Sequence, residues 1–230
     1  MSKAVDQRKK RLLDLVITNH IETSSPVGSN FLVEAGNLDV SGATVRNDMQ
    51  ELEEEGLIDQ PHTSAGRVPT EEGYKFYVEE MMEAEEPKKE MKQEIKNLLS
   101  QEEVNNTDLK QAAKYAAETS EAAAIISFGL QDVYYTGLSK LFSQPEFENY
   151  DYTLYISQIF DRCEQEARNV YNLLNDDTKV MIGEDNPLGS RCSLVASEVE
   201  EKTMFMILGP MRMNYPKAVG FNQYLQEVNN

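Results

Sequence analysis

Side chains that can read base edges are grouped at the front of one predicted helix, over residues 41–56. Ser41 is suited to the N-cap of this helix and Gly56 to its left-handed end, with no proline between them. The small and polar side chains expected to face double-stranded DNA are Ser41, Ala43, Thr44, Arg46, Asn47 and Gln50. In a major groove, amides pair with adenine, guanidinium groups with guanine or phosphate, and methyl groups pack on thymine. The pattern is typical of a recognition helix, although an ordinary amphipathic surface helix would show it equally well.

A short basic loop follows the predicted helix and favours the DNA interpretation. A strand begins at Leu57, a polar turn spans 60–66, and the chain returns toward Pro69, which predicts a wing over Gln60–Pro69. The wing residues expected to contact DNA are His62, Thr63, Ser64 and Arg67. We expect His62, Ser64 and Arg67 at the wing tip, where they could donate to phosphates or enter a minor groove.

The residues before residue 41 supply the elements that position the predicted recognition helix. A first helix over 4–21 places an apolar stripe on one face: Leu12, Leu13, Val16, Ile17, His20 and Ile21. Pro26 interrupts the chain, residues 29–35 can form a short second helix, and 36–40 make a tight connection. This order of helix, short helix, turn and polar-fronted helix is that of a winged helix-turn-helix domain.

Charge limits how this chain could hold DNA. The 230 residues carry a formal net charge of −18, which disfavours sequence-blind binding to a polyanion. Residues 1–11 are an exception, because they hold five basic side chains and one acidic side chain: Lys3, Arg8, Lys9, Lys10, Arg11 and Asp6. We therefore expect a small positive patch on an acidic body, weak non-specific binding, and reliance on base contacts and dimer symmetry.

The chain is long enough for two domains, and its pattern predicts an α+β fold class. We expect a winged helix-turn-helix domain over 1–82, a charged linker with connecting helices over 83–121, and a second domain over 122–230. Strands are predicted at 122–128, 178–183, 191–199 and 203–209, with helices at 151–174 and 215–228. A helix from Thr107 carries small side chains on one face and is either a dimer seam or a face packed onto the second domain: Leu109, Ala112, Ala113 and Ala116.

Catalytic and metal-binding patterns are weak in this sequence. His20 lies on an apolar stripe, His62 lies in the wing, and Cys163 and Cys192 lack metal-ligand spacing. The acidic turn 184–186 is best explained as a surface turn between strands, and no nucleotide-binding motif occurs. We expect no enzyme activity, no cofactor and no metal. Without an apolar run that could cross a bilayer or act as a signal peptide, we expect a cytoplasmic protein.

Long motifs in this sequence resemble the HrcA family of bacterial heat-inducible transcription repressors. Those of the first domain are HIETSSPVGS at 20–29, SGATVRNDMQELE at 41–53, GLIDQPHTSAGRVPT at 56–70 and GYKFYV at 73–78. Those of the second domain are YTGLS at 135–139, SQPEF at 143–147, IGEDN at 182–186, CS at 192–193 and LGPMRMNY at 208–215. The second set resembles the GAF-like C-terminal domain of that family, which implies a reduced GAF-like α+β domain over 122–230.

The resemblance implies a function that the residues alone would not name. Family members repress chaperone genes by binding, as homodimers, an inverted-repeat operator in double-stranded DNA, and a GroE-type chaperonin supports their activity. The family usually carries a long additional segment before the motif at 135–139, part of which is a dimerisation subdomain. Here Gly129 is followed by Tyr134 after only four residues, so the sequence resembles a shortened homologue.

Two other functions remain open at this point. The GAF-like domain could sense a small molecule that regulates DNA affinity. The chain could instead be a chaperonin-interacting module with weakened DNA binding, an interpretation that its net negative charge and short second domain favour.

Overall fold

The computed structural model describes residues 6–36, 40–62, 65–99, 105–130, 132–175 and 177–229. The chain divides into two units, Met1–Met82 and Glu83–Asn230, and each has its own core. Helices and strands occur in both, so the α+β class is confirmed.

The first unit packs four helices around a two-stranded sheet. Its elements are α1 (Gln7–Thr23), α2 (Ser29–Ala35), α3 (Gly42–Glu54), β1 (Ile58–Asp59), β2 (Val68–Pro69) and α4 (Glu71–Glu80). The strands pair antiparallel. The buried side chains include four of the predicted apolar positions of α1 together with residues of α2, α3 and α4: Leu12, Leu13, Val16, Ile17, Leu32, Val45, Met49, Leu52, Tyr74 and Tyr77. His20 is only half-buried and forms a 2.8 Å hydrogen bond with the Tyr74 hydroxyl, at the edge of this core.

Local sequence signals determine where these helices begin and end. The Asp6 carboxylate accepts the Lys9 N–H at the start of α1, and this bond lowers the pKa of Asp6. Gly56 has φ of +78° and ends the turn after α3, a conformation that favours glycine. Thr70 caps α4 by accepting the Gly73 N–H at 3.0 Å. The predicted connection between α2 and α3 includes residues 37–39, which lie outside the described residues.

The second unit is a five-stranded antiparallel sheet with helices on both faces. Its helices are α5 (Lys89–Leu99), α6 (Asn106–Ser120), α7 (Leu138–Phe142), α8 (Tyr150–Tyr171) and α9 (Tyr215–Asn229). Its strands are β3 (Ala123–Phe128), β4 (Asp132–Thr136), β5 (Lys179–Ile182), β6 (Cys192–Glu200) and β7 (Thr203–Pro210), in the spatial order β4-β3-β7-β6-β5. Short 3₁₀ helices lie at Pro145–Glu148 and Gly183–Asp185.

Alternate residues of each strand serve the two faces of this sheet. Leu194 and Met206 pack with α8. Ser193 and Ser197 face α9, where their hydroxyls bond the Tyr215 hydroxyl and the Asn222 side-chain oxygen at 2.7 Å each. Period-two burial of this kind is what a sheet covered on both sides requires.

Residues 83–121, expected as a charged linker with connecting helices, are part of the second unit, and helices α5 and α6 lie within them. Glu85 N–H donates to the Pro216 carbonyl at 2.9 Å, and the Tyr224 hydroxyl donates to the Lys92 carbonyl at 2.8 Å. Ala112, Ala113 and Ala116 are fully buried within the chain. The small-residue face of α6 is thus used for packing on the chain's own β3 and α9, and it is not available as a dimer seam.

The connection between β3 and β4 is short. Ile125 pairs with Tyr135 and Phe128 with Asp132 in an antiparallel hairpin, and only residues 129–131 separate the two strands. The long segment that the resemblance implies is therefore absent at this point of the chain.

Candidate DNA interface

The N-terminal end of α3 presents most of the predicted base-reading side chains to solvent. Ser41 is the N-cap residue, as predicted, and its hydroxyl accepts the Thr44 N–H at 3.2 Å and lies 3.1 Å from the Thr44 hydroxyl. The side chains of α3 predicted to read bases are exposed, opposite the buried stripe: Ala43, Arg46, Asn47 and Gln50. Their arrangement on one face is the geometry that a major-groove helix needs.

Two of these side chains are hydrogen-bonded to neighbouring side chains. Arg46 Nε donates to the Ser29 hydroxyl at 3.3 Å, which links α3 to the start of α2. Gln50 Nε2 donates to Glu54 Oε1 at 3.1 Å, one turn along α3. Both contacts are at exposed side chains, so each can be exchanged for a contact with DNA at small cost.

A groove of about 770 Å³ separates α3 from the wing. Residues of α2, α3 and the wing line it, and the charged ones are Arg46, Glu53, Glu54 and Arg67. The groove is polar and open to solvent. A nucleic-acid backbone that follows α3 would meet two cations and two carboxylates here.

The base of the wing is fixed by a third segment of the chain. Val27 and Arg67 form an antiparallel bridge in which each N–H donates to the other's carbonyl at 2.8 Å. Gly66 makes this approach possible, because a Cβ atom at this position would lie 2.3 Å from the Val27 carbonyl oxygen. Gln60 Nε2 donates to the Ala65 carbonyl at 3.0 Å across the turn. The motif residues before α2 therefore position the wing.

The wing residues differ in where they lie. His62 is exposed at the turn, as predicted, whereas Thr63 and Ser64 lie outside the described residues. The expectation that Arg67 lies at the wing tip is wrong. Its backbone is paired with Val27 at the wing base, and its Nε and Nη2 atoms lie 3.0 and 2.8 Å from Glu53 Oε2. Its side chain is 19% exposed and is directed toward α3.

The basic start of α1 does not provide the expected positive patch for DNA. Arg8 donates to both carboxylate oxygens of Asp48, at 2.7 and 2.8 Å. Lys9 Nζ lies 2.7 Å from Glu51 and 3.0 Å from Glu55. These ion pairs raise the pKa of both basic groups. The cations thus neutralise acidic residues of α3.

The next two basic residues of α1 are also engaged within the first unit. Lys10 Nζ lies 3.5 Å from Glu80 and 5.3 Å from the centre of the Phe76 ring. Arg11 Nη2 donates to the Gly36 carbonyl at 2.7 Å. Lys3 lies outside the described residues.

Asp48 is a structural residue of α3 that the sequence interpretation missed. Its side chain is only 4% exposed, because it lies in the same helical phase as Val45, Met49 and Leu52. A carboxylate so buried needs a partner, and Arg8 provides two hydrogen bonds. In the sequence, an acidic residue in phase with the apolar stripe of a helix could have indicated this buried, ion-paired carboxylate.

Comparison with protein families gives a match over most of the second unit. The family model described as the HrcA protein C-terminal domain matches residues 79–219, which is more than half of the chain. The chain belongs to the HrcA family. A DeoR-like helix-turn-helix model matches residues 30–70, which contain α3 and the wing.

Individual HrcA relatives match over shorter segments. The heat-inducible transcription repressor HrcA of Desulforudis audaxviator is 39% identical over 124 residues, which are 54% of this chain and 36% of the relative. That of Acetivibrio thermocellus is 49% identical over 82 residues, 36% of this chain and 23% of the relative. The matched part of the chain thus spans about a third or less of these relatives' length.

One solved structure shares the fold. A hypothetical protein of known crystal structure has a TM-score of 0.75 and 17% sequence identity, with 98% of each chain covered. This likeness supports the fold, and the two family models agree with the predicted architecture, a winged helix-turn-helix domain followed by a GAF-like α+β domain. In the described part of the chain, no helix is long and apolar enough to span a membrane.

Proposed function

We propose that this chain is a sequence-specific transcriptional repressor that binds an inverted-repeat operator of heat-shock chaperone genes as a homodimer. The observation that carries the proposal is the groove between α3 and the wing, with exposed base-reading side chains along one edge. The relatives named heat-inducible transcription repressors, which are 39% and 49% identical over the matched segments, support the same conclusion.

We assign a distinct role to each class of side chain in this interface. Asn47 and Gln50 suit adenine, Arg46 suits guanine or a phosphate, and Ala43 suits a thymine methyl. Ser41 and Thr44 stand at the N-terminal end of α3, where hydroxyl and N–H groups bind phosphate oxygens. His62, Thr63 and Ser64 are assigned to the wing contact. Gln50 must leave Glu54 before it can contact a base.

In vitro selection from a random duplex library tests this proposal and identifies the operator sequence in the same experiment. We expect the full chain to enrich an inverted repeat. Arg46→Ala or Asn47→Ala should weaken binding to the selected duplex by about 1–3 kcal/mol, roughly 5- to 150-fold. The exposed α1 residue Glu22 provides a matched control, and Glu22→Ala should bind as the wild type does. A library that shows no enrichment would reject the proposed function.

The homodimer and the chaperonin partner are proposals of their own. An inverted repeat presents two half-sites related by a two-fold axis, so a two-fold dimer is the matching assembly. Light scattering on the selected duplex should give two chains per duplex, and a strict monomer would contradict the assembly. Added GroE-type chaperonin should raise the fraction of duplex bound at fixed repressor concentration, as the family resemblance implies.

The small-molecule alternative receives no support from the packing of the second unit. Large apolar side chains such as Tyr152, Ile156 and Phe160 fill the space between the sheet and α8. We likewise infer that the chain is not an enzyme and that it acts in the cytoplasm. The groups considered for catalysis are engaged in packing: Cys163 and Cys192 are buried, and His20 is hydrogen-bonded to Tyr74.

A further inference from the structure

The contact between Glu53 and Arg67 lies inside the groove that the proposed function assigns to DNA. Both residues line the groove, and a single carboxylate oxygen of Glu53 lies within 3.0 Å of two guanidinium nitrogens of Arg67. Glu53 belongs to α3 and Arg67 to the base of the wing. The pair therefore joins the two elements that a DNA duplex would contact together.

The backbone of Arg67 is fixed beside this carboxylate. Its N–H and carbonyl are both bonded to Val27, and the preceding Gly66 is packed against the same peptide. Only side-chain rotation could redirect the guanidinium to a phosphate. That rotation would leave Glu53 without its partner while a phosphate approached it, so two like charges would face each other across the groove.

We propose that Glu53 is a specificity-determining residue that suppresses sequence-blind DNA binding by holding Arg67. Its carboxylate removes one cation from the phosphate-binding set and places a negative charge beside the DNA backbone. Base contacts from Arg46 and Asn47 must then supply the affinity, so duplexes without the correct bases are disfavoured. The inference rests on the proposed function in one respect, namely that this groove faces duplex DNA.

The salt dependence of binding gives the expected size of the effect. Each phosphate neutralised by a basic side chain steepens the plot of log K against log salt by about 0.9. Releasing Arg67 from Glu53 should therefore steepen the slope by about that amount. If the wild type and a variant with Arg67 released bind random duplex equally near 200 mM salt, the variant should bind it roughly 3.5-fold more tightly at 50 mM.

Fluorescence anisotropy with a random-sequence 30-base-pair duplex measures this effect on the full chain. Glu53→Gln keeps the side-chain shape and removes the charge, and circular dichroism checks the fold of each variant. Glu22→Gln is the matched control, because it removes one charge from an exposed position of α1 that does not line the groove and leaves the Arg67 contact intact. The double variant Glu53→Gln/Arg67→Gln tests whether the gain acts through Arg67.

We expect a steeper slope and tighter binding for Glu53→Gln only, with the double variant returning to the wild-type slope. Arg67→Gln alone should leave the slope for random duplex unchanged, since the carboxylate already occupies this guanidinium. An unchanged slope in Glu53→Gln, an equal gain in Glu22→Gln, or a gain that persists in the double variant would overturn the inference. A slope that flattens by about 0.9 in Arg67→Gln would also overturn it, because the wild type would then use Arg67 on phosphate.

These outcomes are separable from failure of the proposed function. The random duplex reports on Glu53 and Arg67 whether or not an operator exists. In vitro selection with the wild-type chain reports on the operator alone.

Discussion

Replacing Gly66 by alanine tests whether the loop before α2 positions the wing. An ideal Cβ at this residue would lie 2.3 Å from the carbonyl oxygen of Val27, 2.4 Å from its carbonyl carbon and 2.8 Å from Gly28 N. All three are backbone atoms, so no side-chain rotation can make room. We expect the bridge between Val27 and Arg67 to open in Gly66→Ala.

The size of the effect follows from the bonds that would be lost. The bridge consists of two N–H to carbonyl hydrogen bonds of 2.8 Å. Each is worth about 1 kcal/mol net, so the local stability of the wing base should fall by about 2 kcal/mol. Since about 1.4 kcal/mol corresponds to a factor of ten, amide protection at Val27 and Arg67 should decrease roughly 30-fold.

Native-state hydrogen exchange at these two amides is the direct assay. Gly28→Ala is the matched control, because a Cβ at Gly28 meets nothing within 4 Å. The control should change protection less than about threefold, since φ at Gly28 is −89° and a Cβ there enters open space. Unchanged protection in Gly66→Ala would show that the wing is not held at Val27. Equal losses in the two variants would indicate general destabilisation of the loop.

Three further predictions concern the α1–α3 ion pair, acid stability and the thiols. Arg8→Gln should weaken binding to the selected operator without changing its salt slope, because Arg8 acts through Asp48 and contacts no phosphate; a flatter slope in anisotropy would refute this. Burial raises the pKa of Asp14 above its usual 3.8, so the ionised carboxylate destabilises the folded state at neutral pH. Asp14→Asn should therefore stabilise the chain in urea unfolding at pH 7, by less than about 1 kcal/mol for a half-exposed group, and the gain should vanish below the usual Asp pKa. Burial raises the pKa of Cys192 to about 12 and also raises the pKa of Cys163, so iodoacetamide at pH 8 should label these thiols only in denaturant.

Much of the first unit could be predicted because its signals are local. The phase of Val45, Met49 and Leu52 determined which face of α3 is buried, and the cap at Ser41 determined where the helix begins. Four strands of the second unit could be predicted for the same reason, from short runs rich in β-branched and apolar residues. Strand β4 was missed although Val133–Thr136 are residue types that favour strands, because Asp132–Thr136 is short and half-exposed at the sheet edge and lacks the continuous apolar run of the buried strands.

The position of Arg67 could not be predicted, because it depends on a partner forty residues earlier in the chain. The turn 60–66 looks like a free hairpin in the sequence, where an arginine after glycine would be near the tip. Pairing with Val27 draws this residue to the base of the wing instead. The partners of Arg8 and Lys9 were missed for a similar reason, since helices far apart in sequence bring these charges together.

These long-range ion pairs change what the net charge means for DNA binding. Arg8 and Lys9 of α1 offset part of the acidic charge of α3, which lowers the repulsion between this helix and a polyanion. The same pairs, however, make the basic residues of α1 less available for phosphate contacts, and Glu53 does the same to Arg67. Few phosphate contacts then remain for one domain, and affinity from a single half-site should be low. Two linked domains on an inverted repeat would raise it by about 10²–10⁴ through effective concentration alone. Because the α6 face is buried within the chain, that linkage must come from another surface.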